Sequence, residues 1–197
     1  MTLVFASNNQ HKLQEVRQIL PDYITVVSLR DIGFCQEIDE TGLTLEDNSA
    51  LKAQTIWQWI TASQLSLDVD GVFADDTGLE IAALAGQPGV RTASWAGEEC
   101  NDIANRRKAL EMLEGKQNRQ AQFRTVVTLI TPQSTLQVEG IVRGRISTQE
   151  EGEGGFGYDP VFIPEGYDKT FASLPAEVKN NISHRARAMQ ALKEKLG

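Results

Sequence analysis

The sequence predicts an α/β fold built on a mixed sheet flanked by helices. Two observations carry that prediction. Early in the chain, short apolar runs suited to strands alternate with segments of helical periodicity. Later, two β-branched segments, 123–130 and 136–146, follow each other around Thr131-Pro132-Gln133-Ser134 and suit an antiparallel hairpin. Alternation favours parallel pairing and the hairpin adds antiparallel pairing, so the sheet is mixed. At 197 residues, the chain is long enough for a sizeable core. It is expected to form a single domain over residues 1–197, or one domain with a lobe.

The elements follow in order. Leu3-Val4-Phe5-Ala6 suits a buried strand, broken by Ser7-Asn8-Asn9. Leu13, Val16, Ile19 and Leu20 recur at helical spacing until Pro21 stops them. Residues 24–29 suit a second strand. Thr44 is placed to cap a helix, with Asp47 three residues on where a capping-box acid stands. That helix carries Leu45, Ala53, Ile56 and Ile60 on one face, with Asn48 and Lys52 spaced i, i+4 at the margin of the apolar stripe. Trp57 and Trp59 point different ways and suit packing.

Val72-Phe73-Ala74 suits a strand ending at Asp75-Asp76-Thr77-Gly78, with a further strand over 79–84 and a turn at Gly86-Gln87-Pro88-Gly89. Ile103, Arg107, Leu110 and Leu113 suggest a helix. After the hairpin, a glycine-rich stretch at 152–157 leads into Tyr158-Asp159-Pro160. Pro175 suits a helix start. The periodicity of Val178, Ile182, Met189, Leu192 and Leu196 fits one helix to the end of the chain, or two with Ser183 capping the second.

Lys plus Arg number 19 and Asp plus Glu 27, a formal net charge of -8. So acidic a surface repels nucleic-acid backbones and anionic bilayers, so no nucleic-acid polymer and no membrane is expected as a partner. A small anion remains a candidate ligand if basic residues converge locally. The longest aliphatic run, 81–85, is far short of the roughly 20 residues a membrane helix needs. Met1–Ala6 lacks the basic start of a signal peptide. Cys35 and Cys100 lack metal or redox spacing and are expected as reduced thiols in a cytoplasmic protein. The two histidines are too few for a zinc site of the usual His-based kind.

Four clusters carry chemistry. Ser7-Asn8-Asn9-Gln10-His11-Lys12 joins a strand to a helix start, where free N–H groups and the helix dipole favour an anion and Lys12 adds a charge. Asp75-Asp76-Thr77-Gly78 places adjacent carboxylates at a strand end. Strand residues alternate in direction, but at a strand end both carboxylates can splay toward Mg²⁺, which takes oxygen ligands. Asp39-Glu40, followed by Asn48 and Lys52, offers a further acid for the metal and a cation for phosphate. Finally, Phe156, flanked by glycines, offers an aromatic face on which a base stacks for ~1–3 kcal/mol. Asp159 is an acceptor beside it, and Lys179, His184 and Arg185 are donors. Together the clusters describe a site for a nucleoside triphosphate with Mg²⁺.

In this order, the clusters resemble the inosine triphosphate pyrophosphatase family, the non-canonical purine NTP pyrophosphatases (XTP/dITP diphosphatases). The match runs through Phe5-Ala6-Ser7-Asn8-Asn9, Glu40-Thr41-Gly42, Ala74-Asp75-Asp76-Thr77-Gly78-Leu79, Gly155-Phe156-Gly157-Tyr158-Asp159-Pro160 and Ile182-Ser183-His184-Arg185. It covers nearly the whole chain. Ser7-Asn8 stands where a Thr-Gly pair is common, and Asp39 where many members carry Glu, so Asp39 and Glu40 are both candidates to face the metal. The resemblance implies a homodimer with a long mixed sheet and two lobes around a cleft. It implies hydrolysis of ITP, dITP and XTP to the monophosphate and pyrophosphate. Carried over by position, Ser7, Asn8, Asn9, Gln10, His11 and Lys12 contact the triphosphate. Thr77, Phe156, Gly157, Tyr158, Asp159, Lys179, His184 and Arg185 contact substrate, and Asp76 is metal ligand or base. Asp75 and Glu40 neighbour Asp76 at the metal, and Lys12 and Lys52 stabilise the leaving pyrophosphate. The alternatives are a Mg²⁺-dependent phosphomonoesterase, whose two carboxylates stand two residues apart rather than adjacent, and a non-catalytic nucleotide-binding regulator.

Overall fold

The structure is a computed structural model and describes residues 1–63 and 68–196. The expected domain of residues 1–197 therefore includes positions 64–67 and 197, which lie outside the described residues. The elements are β1 (Thr2–Phe5), α1 (Gln10–Ile19), β2 (Thr25–Ser28), α2 (Leu45–Ala62), β3 (Gly71–Ile81), β4 (Pro88–Gly89), α3 (Asp102–Met112), β5 (Gln120–Ile130), β6 (Thr135–Ile146), β7 (Phe162–Pro164), α4 (Ala176–Ile182) and α5 (His184–Leu196). The strands form one sheet in the order β2-β1-β3-β5-β6-β7, with β4 on β3. β1 runs parallel to β2 and to β3, whereas β4 is antiparallel to β3 and β7 to β6. The fold is the mixed α/β class that the sequence predicts. By internal packing the chain divides into two compact units. One comprises Met1–Asp76, Thr125–Gly140 and Arg185–Gly197; the other comprises Thr77–Arg124 and Ile141–His184.

In the first unit, strand alternation sorts the core onto two faces. Leu3 and Phe5 of β1 and Phe73 of β3 pack with Leu13 and Val16 of α1 and Ala188, Met189 and Leu192 of α5. Val4 and Ala6, with Val72 and Ala74, face Ala53 and Ile56 of α2. Trp57 and Trp59 pack at the margin of that second cluster, Trp59 edge-on to Phe34. In the second unit, Leu79, Ile81, Phe123, Val142, Tyr158 and Phe162 share a separate core. Cys35 and Cys100 are exposed and free. Among the described residues, no helix is long and apolar enough to cross a membrane.

Two local expectations are corrected. β3 does not end at Asp75-Asp76; it continues to Ile81, so both carboxylates sit mid-strand. The further strand over 79–84 is the end of β3, held by β4 at Leu79 and Glu80, followed by a 3₁₀ turn over Ala82–Leu84. α3 forms as the spacing suggests: Leu110 and Leu113 pack in the second core with Ala109, while Ile103 is 66% exposed. Asn105 is buried beside them, its amide receiving Ala96 N–H at 2.7 Å and donating to Ala93 O at 2.7 Å. The C-terminal periodicity resolves into two helices, α4 and α5, which meet at extended Ser183.

Gly144, opposite Pro164 in the β6–β7 register, has no room for a side chain. A Cβ there would lie 2.2 Å from Ile163 O. Gly144→Ala is expected to destabilise the protein by ~1–3 kcal/mol in denaturant unfolding, because backbone must shift to admit it. An unchanged midpoint would contradict that packing.

Candidate active site

The first cluster grows from β3 and α2. Thr44 Oγ1 accepts Asp47 N–H at 3.1 Å and starts α2. The i, i+4 pair Asn48 and Lys52 then lies buried against the sheet rather than at the margin of the stripe. Asp76 continues the Val72/Ala74 face of β3 and meets that pair. Lys52 Nζ donates to Asp76 Oδ1 at 3.0 Å and pairs with Glu40 Oε1 at 3.2 Å. Asn48 Nδ2 donates to Asp76 Oδ2 at 3.3 Å, and Asn48 Oδ1 accepts Gly42 N–H at 2.7 Å. Asn48 thus ties the turn that follows Glu40 to the Asp76 carboxylate. Of the two acidic candidates at 39 and 40, Glu40 is joined to this group through Lys52.

Burial is the largest influence on Asp76 and pushes its pKa up; Lys52 and Lys12 oppose it, Glu40 adds to it, and the net direction is up. Burial alone would lower Lys52, but Asp76, Glu40 and Asp75 outweigh it and hold the ammonium charged. A buried carboxylate with a second acid one lysine away offers hard oxygen donors, the chemistry that Mg²⁺ takes. The donor set therefore fits that ion.

Asp75 continues the Phe73 face and points to the opposite side of the sheet. Lys12 Nζ, from α1, donates to Asp75 Oδ1 at 2.9 Å. Arg185, at the start of α5, donates to Asp75 Oδ2 from Nε and Nη2, each at 3.1 Å. Arg185 Nη1 also pairs with Glu15 of α1. Burial pushes Asp75 up, but Lys12, Arg185 and Lys52 together hold it well below the usual carboxylate range. The expected splay of Asp75 and Asp76 toward one metal does not occur, because the strand continues and its alternation is kept. Among the described residues no three His, Cys, Asp or Glu side chains gather as a metal cluster.

The loop before α1 is ordered by its own side chains. Asn9 caps the helix by accepting Lys12 N–H at 3.1 Å, and Ser7 Oγ accepts Asn9 N–H at 3.2 Å. Asn8, Gln10 and His11 are exposed, and the partly buried Lys12 reaches inward to Asp75.

The second cluster lies in the second unit. Gly155 has φ +72°, and a Cβ there would fall 2.0 Å from Asp159 Oδ2, so only glycine brings the loop this close. Asp159 Oδ2 accepts Phe156 N–H at 2.8 Å and Lys179 Nζ at 2.5 Å. The Lys179 ammonium also lies 4.7 Å from the centre of the Phe156 ring, a cation–π contact. Tyr158 is buried, and its hydroxyl donates to Thr92 O at 3.0 Å. His184 stacks on Phe123 at 4.6 Å. Thr77 follows Asp76 on β3 at the start of this unit.

The four sequence clusters thus regroup. Lys12, Glu40, Asn48, Lys52, Asp75, Asp76 and Arg185 belong to the first unit, whereas Phe156 to Asp159, Lys179 and His184 belong to the second. The sequence reading grouped Arg185 with the glycine-rich loop, and its guanidinium instead serves Asp75 and Glu15. Glu15, Asp102 and Arg106 were missed. The available signals were helical spacings: Glu15 stands three residues from Lys12, and Asp102 and Arg106 are i, i+4.

Lysines paired with buried carboxylates on a mixed α/β sheet are the equipment of a protein that handles phosphate with a divalent ion. Comparison with known proteins is consistent with that class. The model of the Ham1 family matches residues 3–195. The dITP/XTP pyrophosphatase of Flavobacterium johnsoniae is 47% identical over 98% of this chain and 96% of its own. The protein of the same name from Bacillus subtilis is 43% identical over 98% and 96%. The solved structure of the Staphylococcus aureus Ham1 protein superposes with a TM-score of 0.86 at 38% identity, covering 100% of this chain and 98% of that one. The chain belongs to the Ham1 family.

Proposed function

We propose that the protein hydrolyses the non-canonical purine nucleoside triphosphates ITP, dITP and XTP to the monophosphate and pyrophosphate, and so cleanses the nucleotide pool. The observation that carries the reading is the buried Asp76 carboxylate held between Lys52, Asn48 and the Glu40 turn. It stands in a chain whose relatives bear the name dITP/XTP pyrophosphatase.

Asp76 and Glu40 would hold Mg²⁺, which when bound would supply positive charge to the phosphate oxygens. As the alternative to binding the metal, Asp76 orients the attacking water and receives its proton. The new bond joins the water oxygen to the α-phosphorus, the α–β anhydride bond breaks, and pyrophosphate leaves. Lys52 and Lys12 stabilise that leaving group, with Asp75, Arg185 and Glu15 holding Lys12 in place. Ser7 to His11 bind the triphosphate through side chains and N–H groups at the start of α1. Thr77, Phe156 to Asp159, Lys179 and His184 receive the nucleoside, with the Phe156 face under the base. The working form is a cytoplasmic homodimer.

One assay tests the reading: ITP with and without Mg²⁺, measuring pyrophosphate and IMP. The expected result is Mg²⁺-dependent release of both. Orthophosphate without pyrophosphate would mark a phosphomonoesterase, and tight ITP binding without turnover a regulator. Hypoxanthine and xanthine carry a 6-oxo acceptor where adenine carries an amino donor. A loop donor left unpaired by adenine predicts ITP and XTP turnover roughly 5–150-fold above ATP. Equal rates on the three would refute the selectivity.

A further inference from the structure

We propose that Asp102 and Arg106 are positioning residues that hold the glycine-rich loop in its base-receiving form. The inference rests on the reading that Phe156 and Asp159 receive the nucleobase. Asp102 opens α3 and Arg106 stands one turn later, so the two side chains leave the same side of the helix. Both reach the same loop residue. Gly157 N–H donates to Asp102 Oδ2 at 3.0 Å, and Arg106 Nη1 donates to Gly157 O at 2.8 Å. The two backbone polar groups of Gly157 are thus both held by one turn of one helix. Arg106 Nε also lies 3.0 Å from the Glu150 carboxylate, an ion pair without hydrogen-bond geometry, so the firm tie is the one to Gly157.

The helix that supplies this clamp is itself anchored. Asn105, between the two clamp residues, is 1% exposed and fixes the segment 93–96 through both ends of its amide. Lys108 Nζ donates to Trp95 O at 2.6 Å. The loop it holds has little stiffness of its own. It carries Gly152, Gly154, Gly155 and Gly157, three of them at positive φ, and glycine loses the most backbone freedom on ordering. The contacts on Asp159 join Phe156 to Lys179 of α4, and Gly154 N–H donates to Ala172 O at 3.1 Å, while Gly157 is held from α3. Without the clamp, the Gly157 end of the loop would lose the hold on both its backbone polar groups, and binding would bear the cost of ordering it. The groups that meet the α-phosphate lie on other elements, so the loss should fall on KM and spare kcat.

The test measures KM and kcat for ITP, with thermal unfolding alongside. Asp102→Ala and Arg106→Ala are each expected to raise KM roughly fivefold while kcat stays within about twofold of wild type. Asp102→Asn keeps an oxygen that accepts Gly157 N–H and should restore wild-type KM. An unchanged KM in both alanine variants, a loss in kcat without a rise in KM, or an Asn variant as impaired as the Ala variant would overturn the clamp. If the wild-type protein leaves ITP intact, the reading of the base site falls first and the clamp with it.

Discussion

Asp76→Asn is expected to lower ITP turnover roughly a hundredfold or more while the fold persists. The substitution keeps the shape of the side chain but removes a metal-binding oxygen charge and the acceptor for the water proton. Structural damage should be small, because Lys52 retains Glu40 as its partner at 3.2 Å and Asn48 retains Gly42 N–H at 2.7 Å. The measurement is kcat for ITP at saturating Mg²⁺, with circular dichroism and unfolding midpoint as the check on folding. Activity near wild type would remove Asp76 from the reaction, and with it the assignment of the site to the α2 face of β3.

The neighbouring carboxylate is expected to behave in the opposite way. Asp75→Asn should lower stability by ~3–5 kcal/mol, because it leaves the buried Arg185 and the partly buried Lys12 with too little negative charge to meet them. Glu15 still meets Arg185. The sign with pH follows from the direction of the shift. The folded-state pKa of Asp75 lies below its unfolded value, so its contribution is present above ~3.9 and is lost as the pH falls from there toward the folded value. Denaturant unfolding at pH 7 should show the full difference between wild type and variant, and acid titration should show it shrinking below about pH 4. A difference under about 1 kcal/mol at pH 7 would mean that Asp75 is not the counter-ion that anchors Lys12. Two adjacent aspartates would then differ by role, one held for reaction and one for support, only if both variants behave as stated.

The chain's apolar spacing and turn residues made much of the first unit legible. The Leu3-Val4-Phe5 run, the stop at Pro21, the Thr44 cap and the hairpin turn at 131–134 each have a local physical cause, and each forms within a residue or two of where that cause places it. α3 shows the limit of apolar periodicity. Leu110 and Leu113 pack as their spacing suggests, but the polar Asn105 is buried beside them because its amide meets the backbone of Ala93 and Ala96, while Ile103 is left to solvent. Thr77-Gly78 shows another. As a local string it suits a turn, yet β3 runs through it because β4 pairs beyond it and cations meet both carboxylates before it.

By itself the sequence determined the inventory: a mixed α/β chain, a polar strand-to-helix loop with Lys12, adjacent carboxylates after an apolar strand, an i, i+4 Asn48/Lys52 pair, and a glycine-flanked phenylalanine. Those depend on composition and on spacing along one element, which a string records. Only the tertiary structure decided that Asp76 turns to Lys52, Asn48 and Glu40 while Asp75 turns to Lys12 and Arg185. Strand alternation puts the two carboxylates on opposite faces, but which helix covers each face depends on packing between segments more than a hundred residues apart, such as Asp75 and Arg185. The same holds for the Asp102 and Arg106 clamp on Gly157, whose partners meet only once α3 and the glycine-rich loop are folded together.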